Sequence, residues 1–542
     1  MAQATPTSLG RTGPASVDAD EARRRVRRWW WLAFTAFFLL GAAWAVALPA
    51  NGTYDEKQHI VRAYGVATGH LLPVGHADDT EGKRYEAFEA PRSLLPLGTS
   101  VDCTWWKPAK TADCQRWSSD RTPTLLPSAA GRYSPVYYLP VGIPLVIRPD
   151  FTGIVLARLV SALMSAMLLA SAATAAVRLG NRLVLVAVIL VTTPLTMDLA
   201  GAVNDNGVEI SAGVLVFATL LALVRAPSLT PGNAAPALPD RAVRRLLLLA
   251  AIAIALLLTV RHMGPLLLAL DVLACLTVAR RGRIRALAGR RDARWLIGGA
   301  TVVGVGFAVG WLWYSRVADI PPDPTRAMHL TLGAELSHIA VHRIPFYIVQ
   351  MVGQFSYGEI TISSYAVAVW YLLVAALVVP GLILARARVR LVAAGLVVIC
   401  LGILIGLELV FVSRLGWYAH GRYVLPTLVG VPLIAAAASG YRHRLAARGR
   451  LRAFATGVAV LVVPLHAYAL AAVMTRFQVG SASALDPLAG QWSPPLGPVP
   501  PLLADLAGAV LLAVLAWRFA DRSSQPLSRA AVRGSTAEAA TH

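Results

Sequence analysis

Residues 29–48 read WWWLAFTAFFLLGAAWAVAL, and after five further residues the chain continues at 54–59 with YDEKQH. A predominantly apolar run of this length is long enough to cross a hydrocarbon core of roughly 30 Å as a helix. The polar motif that follows it opens a long connection, 49–150, before the next long apolar run. An apolar helix followed at once by ionisable residues predicts a membrane protein with functional groups at one membrane surface.

The rest of the chain repeats this apolar pattern. Hydrophobic residues make up 56% of the 542 residues and charged residues 15%, and the apolar ones occur in long blocks. Backbone groups in lipid must be satisfied within the segment, and these blocks are too long and too uniformly apolar for barrel strands. The sequence therefore predicts an all-α integral membrane protein with about 12 transmembrane helices. A shorter, proline-broken segment, 134–147, is predicted to be an interfacial or re-entrant helix. The predicted spans are 29–48, 151–177, 183–199, 207–225, 244–261, 263–279, 295–314, 366–385, 391–412, 422–440, 453–475 and 501–519.

The net charge of +21 is explained by its distribution among the connections. If the N-terminus is cytoplasmic, the connections on the cytoplasmic side carry 31 of the 50 basic residues and only 7 of the 29 acidic ones. That excess follows the positive-inside rule. A nucleic-acid-binding protein would need a basic folded domain, which the sequence does not show. We therefore expect a multi-pass protein of the bacterial plasma membrane, with both termini cytoplasmic and no nucleic-acid partner.

Alternation of the twelve spans defines the domain organisation. The membrane domain is predicted to cover 29–519, with two large extracytoplasmic loops, 49–150 and 315–365. The flanking segments 1–28 and 520–542 are polar, and we expect both to be disordered cytoplasmic tails.

The four cysteines fall into two pairs by environment. Cys103 and Cys114 lie in the first extracytoplasmic loop, where an oxidising exterior would permit a disulfide. Two free thiols are the alternative, because spacing alone does not fix the pairing. Cys275 and Cys400 lie in apolar spans, where we expect them to pack as small apolar residues.

Polar residues near the span ends concentrate on the outer side of the predicted topology. A charged group in a bilayer costs about 2.5–3.5 kcal/mol on insertion scales, so such groups tend to face a cavity or a partner. The pattern predicts an outward-facing site with carboxylates from the first loop above arginines from the spans. The residues concerned are Arg158, Asp198, Asn204, Asp205, Asn206, Glu209, Arg261, His262, Glu408, Arg414, His420 and Arg422.

Other interpretations of these residues remain open. Asp55 and Glu56 could begin an ordinary solvated loop, and Arg261 and Arg422 could extend towards lipid headgroups. Asp271, in the middle of a predicted span, fits a buried hydrogen-bonded carboxylate better than a proton-relay group.

Several motifs together resemble one family. The segment Tyr54–Tyr64, YDEKQHIVRAY, resembles the D-E-x-x-H-x-x-x-A-Y start of a family of bacterial polytopic membrane proteins of unknown function. That family in turn resembles the GT-C glycosyltransferases, which take sugars from polyprenyl-phosphate donors. Proline, which usually precedes the acidic pair in the family, is replaced here by Thr53-Tyr54. The other matching segments are YSPVYYLP at 133–140, RLVS at 158–161, ND at 204–205, QFSYG at 354–358 and GRYVLP at 421–426.

The resemblance implies a GT-C-like fold and a catalytic role for the first-loop acidic pair. Asp55 would be the general base, Glu56 its partner, and His59 a positioning group. Whether a divalent cation such as Mg²⁺ or Mn²⁺ takes part is left open, with Asp55 and Glu56 as candidate ligands. The expected partners are a polyprenyl-phosphate sugar donor and an envelope glycan, lipid or protein acceptor.

The chemistry of such a transfer assigns further candidates. A carboxylate can take the acceptor proton, and the forked donors of arginine suit phosphate oxygens. The candidate substrate- and phosphate-binding residues are Arg158, Asn204, Asp205, Arg261, His262, Arg422 and Tyr423.

Two other function classes compete with a membrane glycosyltransferase. One is a multi-span transporter or a lipid or polysaccharide flippase, which would place polar groups near the membrane midplane. The other is a non-catalytic envelope-assembly protein, which would tolerate replacement of Asp55.

Overall fold

The computed structural model describes residues 14–225, 240–316, 323, 325–480 and 484–518, with side chains from residue 24 onward. Of the two expected tails, residues 1–13 and 520–542 lie outside the described residues. Residues 14–28 belong to the first helix, so the helix begins well before the expected span.

The described chain is an all-α membrane protein with a small amount of sheet in its loops. Its helices are α1 (Pro14–Ala47), α2 (Glu56–Ala67), α3 (Pro135–Ile147), α4 (Phe151–Leu179), α5 (Arg182–Val191), α6 (Pro194–Ala200), α7 (Asp205–Arg225), α8 (Asp240–Val260), α9 (Gly264–Thr277), α10 (Arg283–Ala288), α11 (Arg291–Ala293), α12 (Gly299–Ser315), α13 (Leu332–His338), α14 (Ile344–Gly353), α15 (Ser364–Ile383), α16 (Ala387–Leu415), α17 (Leu425–Leu428), α18 (Gly430–Ala438), α19 (Tyr441–Ala447), α20 (Leu451–Gln478) and α21 (Val499–Arg518).

Ten helices of the described chain are long and apolar enough to cross a membrane, and α5 with α6 would make an eleventh. The expected number was about twelve. At 183–199 the helix is broken and bends by 70°, because Pro194 cannot continue the hydrogen-bonding pattern of α5. At 263–279 the helix α9 is only 14 residues long. The predicted short helix at 134–147 is α3, with 13 residues.

Helix α7 lies at the centre of the bundle. Its side chains are buried without interruption from Asp205 to Thr219, and it packs against α4, α8 and α9. Close approaches of the backbone surround it: a Cβ on Gly213 would lie 2.2 Å from the carbonyl oxygen of Pro426. Glycine at 213 therefore allows α17 to lie against α7. Helix α17 begins three residues after Arg422.

A second close approach joins α2 to α3. A Cβ on Gly142 would lie 2.1 Å from the carbonyl oxygen of Ala63. The absence of a side chain at 142 lets the two helices meet at backbone distance, which brings the tyrosines at the start of α3 against the polar face of α2.

The first loop contains a three-stranded antiparallel sheet. Its strands β1 (Gly75–Asp78), β2 (Arg84–Pro91) and β3 (Pro123–Pro127) lie in the order β1-β2-β3, with Ala87 opposite both Gly75 and Pro127. Strands β4 (Gln354–Phe355) and β5 (Ile360–Thr361) form a hairpin in the second large loop.

The segment between β2 and β3 is fixed by covalent and polar contacts. Cys103 and Cys114 form a disulfide. Arg476, near the end of α20, donates hydrogen bonds to the carbonyl oxygens of Lys110, Thr104 and Lys107. The disulfide-bonded segment is thereby attached to the end of α20.

The helix ends gather at two opposite faces of the bundle. At one face, Arg158 of α4 donates to the carbonyl oxygen of Leu48 after α1, and Arg422 before α17 contacts Asp55 before α2. At the other, Arg225 at the end of α7 donates to the carbonyl oxygen of Val278. The polar groups expected on the outer side lie at the first face.

Candidate active site

Asp55 lies at the N-terminus of α2 in a strained backbone conformation. Its φ is 58° and its ψ is 10°, in the left-handed region that residues other than glycine rarely adopt. The carbonyl oxygen of Asp55 accepts hydrogen bonds from the backbone N–H groups of Gln58 and His59. The side chain is 42% exposed. Strain of this kind concentrates at functional sites, and here it holds a carboxylate at the open side of the cluster.

Arg422 is the buried partner of this carboxylate. Its Nη2 lies 2.5 Å from Oδ2 of Asp55, and its side chain is only 1% exposed. The guanidinium carbon lies 4.3 Å from the ring centre of Tyr54 and 5.3 Å from that of Tyr423, which hold the group by cation–π contact. Nε and Nη1 of Arg422 are buried and have no hydrogen-bond partner in the part of the chain that the structure describes. Unpaired buried donors on a charged group are costly, so they mark a place where a ligand acceptor would bind.

A second guanidinium lies on the other side of Tyr423. Arg261 donates from Nη1 to Oδ1 of Asp205 at 3.0 Å, and its Nε lies 3.5 Å from Oε2 of Glu209. Its guanidinium carbon lies 5.5 Å from the Tyr423 ring centre. Asp205 and Glu209 are one helical turn apart on α7, so both face the same arginine.

Asp205 also connects to His59 through Tyr138. The hydroxyl of Tyr138 donates to Oδ2 of Asp205 at 3.3 Å, and Nδ1 of His59 lies 2.7 Å from the same hydroxyl. The tyrosine has one proton, and the carboxylate can only accept it. The hydroxyl oxygen must therefore accept the proton of His59 Nδ1, so Nε2 of His59 is left as a hydrogen-bond acceptor.

His420 adopts the opposite tautomer to His59. The backbone N–H of Gly421 donates to Oε1 of Gln350 at 2.7 Å, which fixes the orientation of that amide. Nε2 of Gln350 must then donate to Nδ1 of His420, 2.8 Å away. The proton of the neutral His420 ring is therefore on Nε2. The cluster thus contains one imidazole that accepts and one that donates from Nε2.

Both imidazoles are neutral around pH 7. Burial lowers the pKa of His59, and burial together with the charge of Arg422 lowers the pKa of His420 well below its usual value. In each case loss of hydration disfavours the charged imidazolium. The assignments above therefore describe the ordinary state of the two rings.

Glu56 and Arg158 form a pair that is fully occupied within the protein. Nε and Nη2 of Arg158 each lie 2.6 Å from an oxygen of Glu56. The remaining donors of Arg158 reach the carbonyl oxygens of Ala45, Leu48 and Pro49. This differs from the expected phosphate-binding role of Arg158, because every donor is already used. The bidentate pair instead fixes the end of α1 against the start of α2.

Glu56 is also not free to bind a metal. Besides Arg158, its oxygens accept the backbone N–H groups of Asn51 and Val203. Within the described part of the chain, no three His, Cys, Asp or Glu side chains group as a metal site. The surroundings of Glu56 therefore do not fit the role of cation ligand that was left open for Asp55 and Glu56.

The other predicted residues lie close by with different surroundings. Asn204 donates from Nδ2 to the carbonyl oxygen of Tyr54, so it fixes the backbone before Asp55. His262 is exposed, with its ring centre 5.8 Å from that of Tyr133, at the edge of the cluster. Tyr423 lies between the two arginines, as described above.

Four contributors were not among the predicted site residues: Tyr54, Tyr138, Gln350 and Asp102. Asp102 accepts from Lys57 and from Asn51, whose side-chain oxygen in turn accepts the N–H of Lys57. Tyr138 lies inside a motif that the sequence comparison did single out, whereas nothing local distinguishes Gln350 or Asp102.

Solved structures with a detectable likeness are remote in sequence. The chain is similar to ArnT from Cupriavidus metallidurans bound to undecaprenyl phosphate, with 14% identity over 94% of this chain and 80% of ArnT and a TM-score of 0.40. The apo form of the same protein gives 16% identity, coverage of 92% and 78%, and a TM-score of 0.39. Arabinofuranosyltransferase AftD from Mycobacteria gives 14% identity, coverage of 83% and 27%, and a TM-score of 0.39. At these values the likenesses assign no activity.

Comparison of sequences gives the family. No curated protein matches the chain. Residues 38–431, more than half of the chain, match the family described as predicted membrane protein (DUF2142), which confirms the resemblance to a family of unknown function. The chain therefore belongs to the DUF2142 family of predicted membrane proteins.

Proposed function

We propose that this protein is a membrane glycosyltransferase of the GT-C type. It transfers a sugar from a polyprenyl-phosphate donor to an acceptor of the cell envelope, on the extracytoplasmic face of the bacterial plasma membrane. The acceptor is a glycan, lipid or protein that presents a hydroxyl group. The family motif beginning at Asp55 supports this assignment by resemblance.

One observation carries the proposal: a partly exposed carboxylate contacts a buried arginine that keeps two donors without a partner among the described residues. Asp55 offers Oδ1, to which no described residue hydrogen-bonds, while Arg422 contacts Oδ2 and keeps Nε and Nη1 unpaired. A base and a phosphate-binding group are the two elements that transfer from a phosphosugar requires.

The step balances with these groups. The acceptor oxygen attacks the anomeric carbon of the donor, and the bond from that carbon to the phosphate oxygen breaks. Asp55 takes the acceptor proton, and the departing phosphate keeps the bonding electron pair. Nε and Nη1 of Arg422 would hold the charge that develops on the phosphate, in a buried setting where such donors act strongly.

The two histidines complete the arrangement. Nε2 of His59 would accept a hydrogen bond from a substrate hydroxyl, and Nε2 of His420 would donate one to a substrate oxygen. Arg261 is paired with Asp205, so it would contribute long-range positive charge rather than free donors.

Two features support the proposed orientation. The Cys103–Cys114 disulfide belongs to an oxidising compartment, and it lies at the face that carries Asp55. The arginine-rich turns lie at the opposite face, as expected for the cytoplasmic side.

The test is a transfer assay with the full-length protein in proteoliposomes. A panel of polyprenyl phosphates carrying labelled sugars is incubated with envelope acceptors. We expect transfer by the wild type and by Asp120→Asn, a carboxylate change in the same loop, but not by Asp55→Asn. Equal transfer by Asp55→Asn would overturn the role of Asp55 as base.

A transporter is the second candidate, and one residue favours it. Asp271 lies within α9 and is fully buried. Transporters place ionisable groups at such depths. Uptake of a labelled polyprenyl phosphate across the vesicle that is lost in Asp271→Asn and retained in Asp55→Asn would favour transport over transfer.

A further inference from the structure

A cluster of arginines lies at the face opposite Asp55. Its members are Arg225 at the end of α7, Arg280 in the turn after α9, and Arg386 and Arg388 at the start of α16. Arg280, Arg386 and Arg388 are exposed, while Arg225 is half-buried between them. Three connections that are far apart in sequence thus place their cations together. We call these four residues the arginine cluster.

Backbone contacts hold the cluster together. Arg225 donates to the carbonyl oxygens of Val278 and Ala438, and the backbone N–H of Arg280 donates to the carbonyl oxygen of Val224. Arg388 donates to the carbonyl oxygen of Ala279. These contacts cap the ends of α7, α9 and α18, so the position of the cluster is set by the helices themselves.

The cluster has no carboxylate partner in the described part of the chain. The charged groups that act on Arg225 are Arg280, Arg386 and Arg388. Nε of Arg225 is buried and has no hydrogen-bond partner among the described residues. The positive charges of the cluster repel one another, and an anion bound among them would reduce that repulsion.

Arg290, on the same face, differs from the arginine cluster because it has carboxylate partners. It pairs with both Asp240 and Asp292, at 2.8 Å each. Among the side chains that the structure describes at this face, from residue 24 onward, these two are the acidic ones, and both are used by one arginine. Neither is therefore available to the arginine cluster.

We propose that the arginine cluster is a binding site for a phosphate group, and that its occupant is the headgroup of an anionic phospholipid of the cytoplasmic leaflet. Guanidinium groups bind phosphate oxygens through paired N–H donors. The ends of α7, α9 and α16 lie at the level where the headgroups of that leaflet would be, and basic sites between helix ends on this side suit anionic lipids.

Membrane insertion alone does not explain the arrangement. The positive-inside rule requires basic residues on the cytoplasmic side, but it does not require that residues from three separate turns converge. An anion bound where the three turns converge would offset the repulsion among these arginines.

The test compares three full-length proteins in detergent. Arg280→Gln/Arg386→Gln removes two charges from the cluster, and neither side chain hydrogen-bonds to another described residue. Arg241→Gln/Arg244→Gln removes two exposed charges of the same face, on α8. Thermal unfolding and native mass spectrometry are measured with cardiolipin, phosphatidylglycerol, phosphatidylcholine, or inorganic pyrophosphate alone.

We expect the anionic lipids, and not phosphatidylcholine, to bind to and stabilise the wild type and the α8 variant. Binding to the Arg280→Gln/Arg386→Gln variant should weaken by roughly tenfold or more, as loss of charge-assisted contacts predicts. Pyrophosphate that stabilises the protein as well as cardiolipin does would support a phosphate site but identify a soluble occupant. Equal lipid binding by all three proteins would overturn the proposal. None of these readouts depends on transferase activity, so the outcome is independent of the proposed function.

Discussion

Asp55 and Arg422 are 367 residues apart in sequence, yet Oδ2 of one lies 2.5 Å from Nη2 of the other. The contact joins the start of α2 to the turn before α17. It is asymmetric: the carboxylate is partly exposed and the guanidinium is buried. The pair therefore works as a fixed cation beneath an accessible base, with two guanidinium nitrogens left for a ligand.

The first prediction separates the charge of Arg422 from its geometry. Arg422→Lys keeps a cation beside Asp55 but has no planar fork to hold two phosphate oxygens. We expect KM for the polyprenyl-phosphate donor to rise about 10–100-fold, since hydrogen bonds to charged groups contribute about 1.5–3 kcal/mol. The kinetics of Arg422→Lys and Arg422→Gln provide the measurement, with thermal midpoints as the control for folding. An unchanged KM in Arg422→Lys would argue against a phosphate at Nε and Nη1.

A second prediction concerns Glu56 and Arg158. Because the pair is buried, removal of one partner leaves an uncompensated charge, which typically destabilises a protein by about 3–5 kcal/mol. Glu56→Gln and Arg158→Met should each lower the denaturation midpoint strongly, and the double variant should lose less than the two single losses combined.

The comparison for this pair is Asp55→Asn, in which asparagine tolerates the left-handed φ but the buried Arg422 loses its carboxylate partner. We expect a smaller loss of stability than in Glu56→Gln, because Asp55 is 42% exposed and Glu56 is fully buried. If Arg158→Met instead kept its stability and lost only donor affinity, Arg158 would be a phosphate ligand, as the sequence first suggested.

The third prediction concerns which ring nitrogen carries the proton in His59 and in His420. ¹⁵N chemical shifts of histidine-labelled protein at pH 7.5 should show the proton of His59 on Nδ1 and that of His420 on Nε2. Tyr138→Phe removes the hydroxyl that accepts from His59 and should change the shifts of His59 alone. Gln350→Glu should likewise change those of His420 alone. Identical tautomers in the two rings would contradict the hydrogen-bond assignment.

The sequence predicted the helical membrane fold because composition and block length are local properties. It also singled out Asp55, Asp205, Arg261 and Arg422 as candidates, since ionisable residues at span ends are conspicuous, and their role in a site stays a prediction. It did not predict which of them pair: Arg158 was expected to bind phosphate, but its five donors are taken by Glu56 and three carbonyl oxygens. That outcome depends on how α1, α2 and α4 pack together.

Two further differences have similar causes. The described residues contain ten or eleven candidate spans where about twelve were expected, because the bend at Pro194 and the short length of α9 are set by backbone geometry rather than by hydropathy. Gln350 was missed because nothing in the local sequence marks an uncharged residue in α14. Its orientation is fixed by a hydrogen bond from the backbone N–H of Gly421, a contact that exists only in the folded protein.

The last prediction is a loss of stability in mild acid. An unfolded histidine has a pKa of about 6.5, whereas burial lowers the pKa of His59 and His420 in the folded protein. Between 6.5 and the lower folded values the unfolded chain binds more protons, so stability falls as the pH is lowered through this window and is fully present above it. Each group can contribute up to about 1.4 kcal/mol per pH unit.

Denaturation at pH 7.5, 6.5 and 5.5 measures the dependence of stability on pH. His59→Gln and His420→Gln should flatten it, while His443→Gln, at an exposed position, should not. If the stability of the wild type did not change across this range, protonation of the two rings would cost no free energy of folding. That result would contradict the lowered pKa values of His59 and His420.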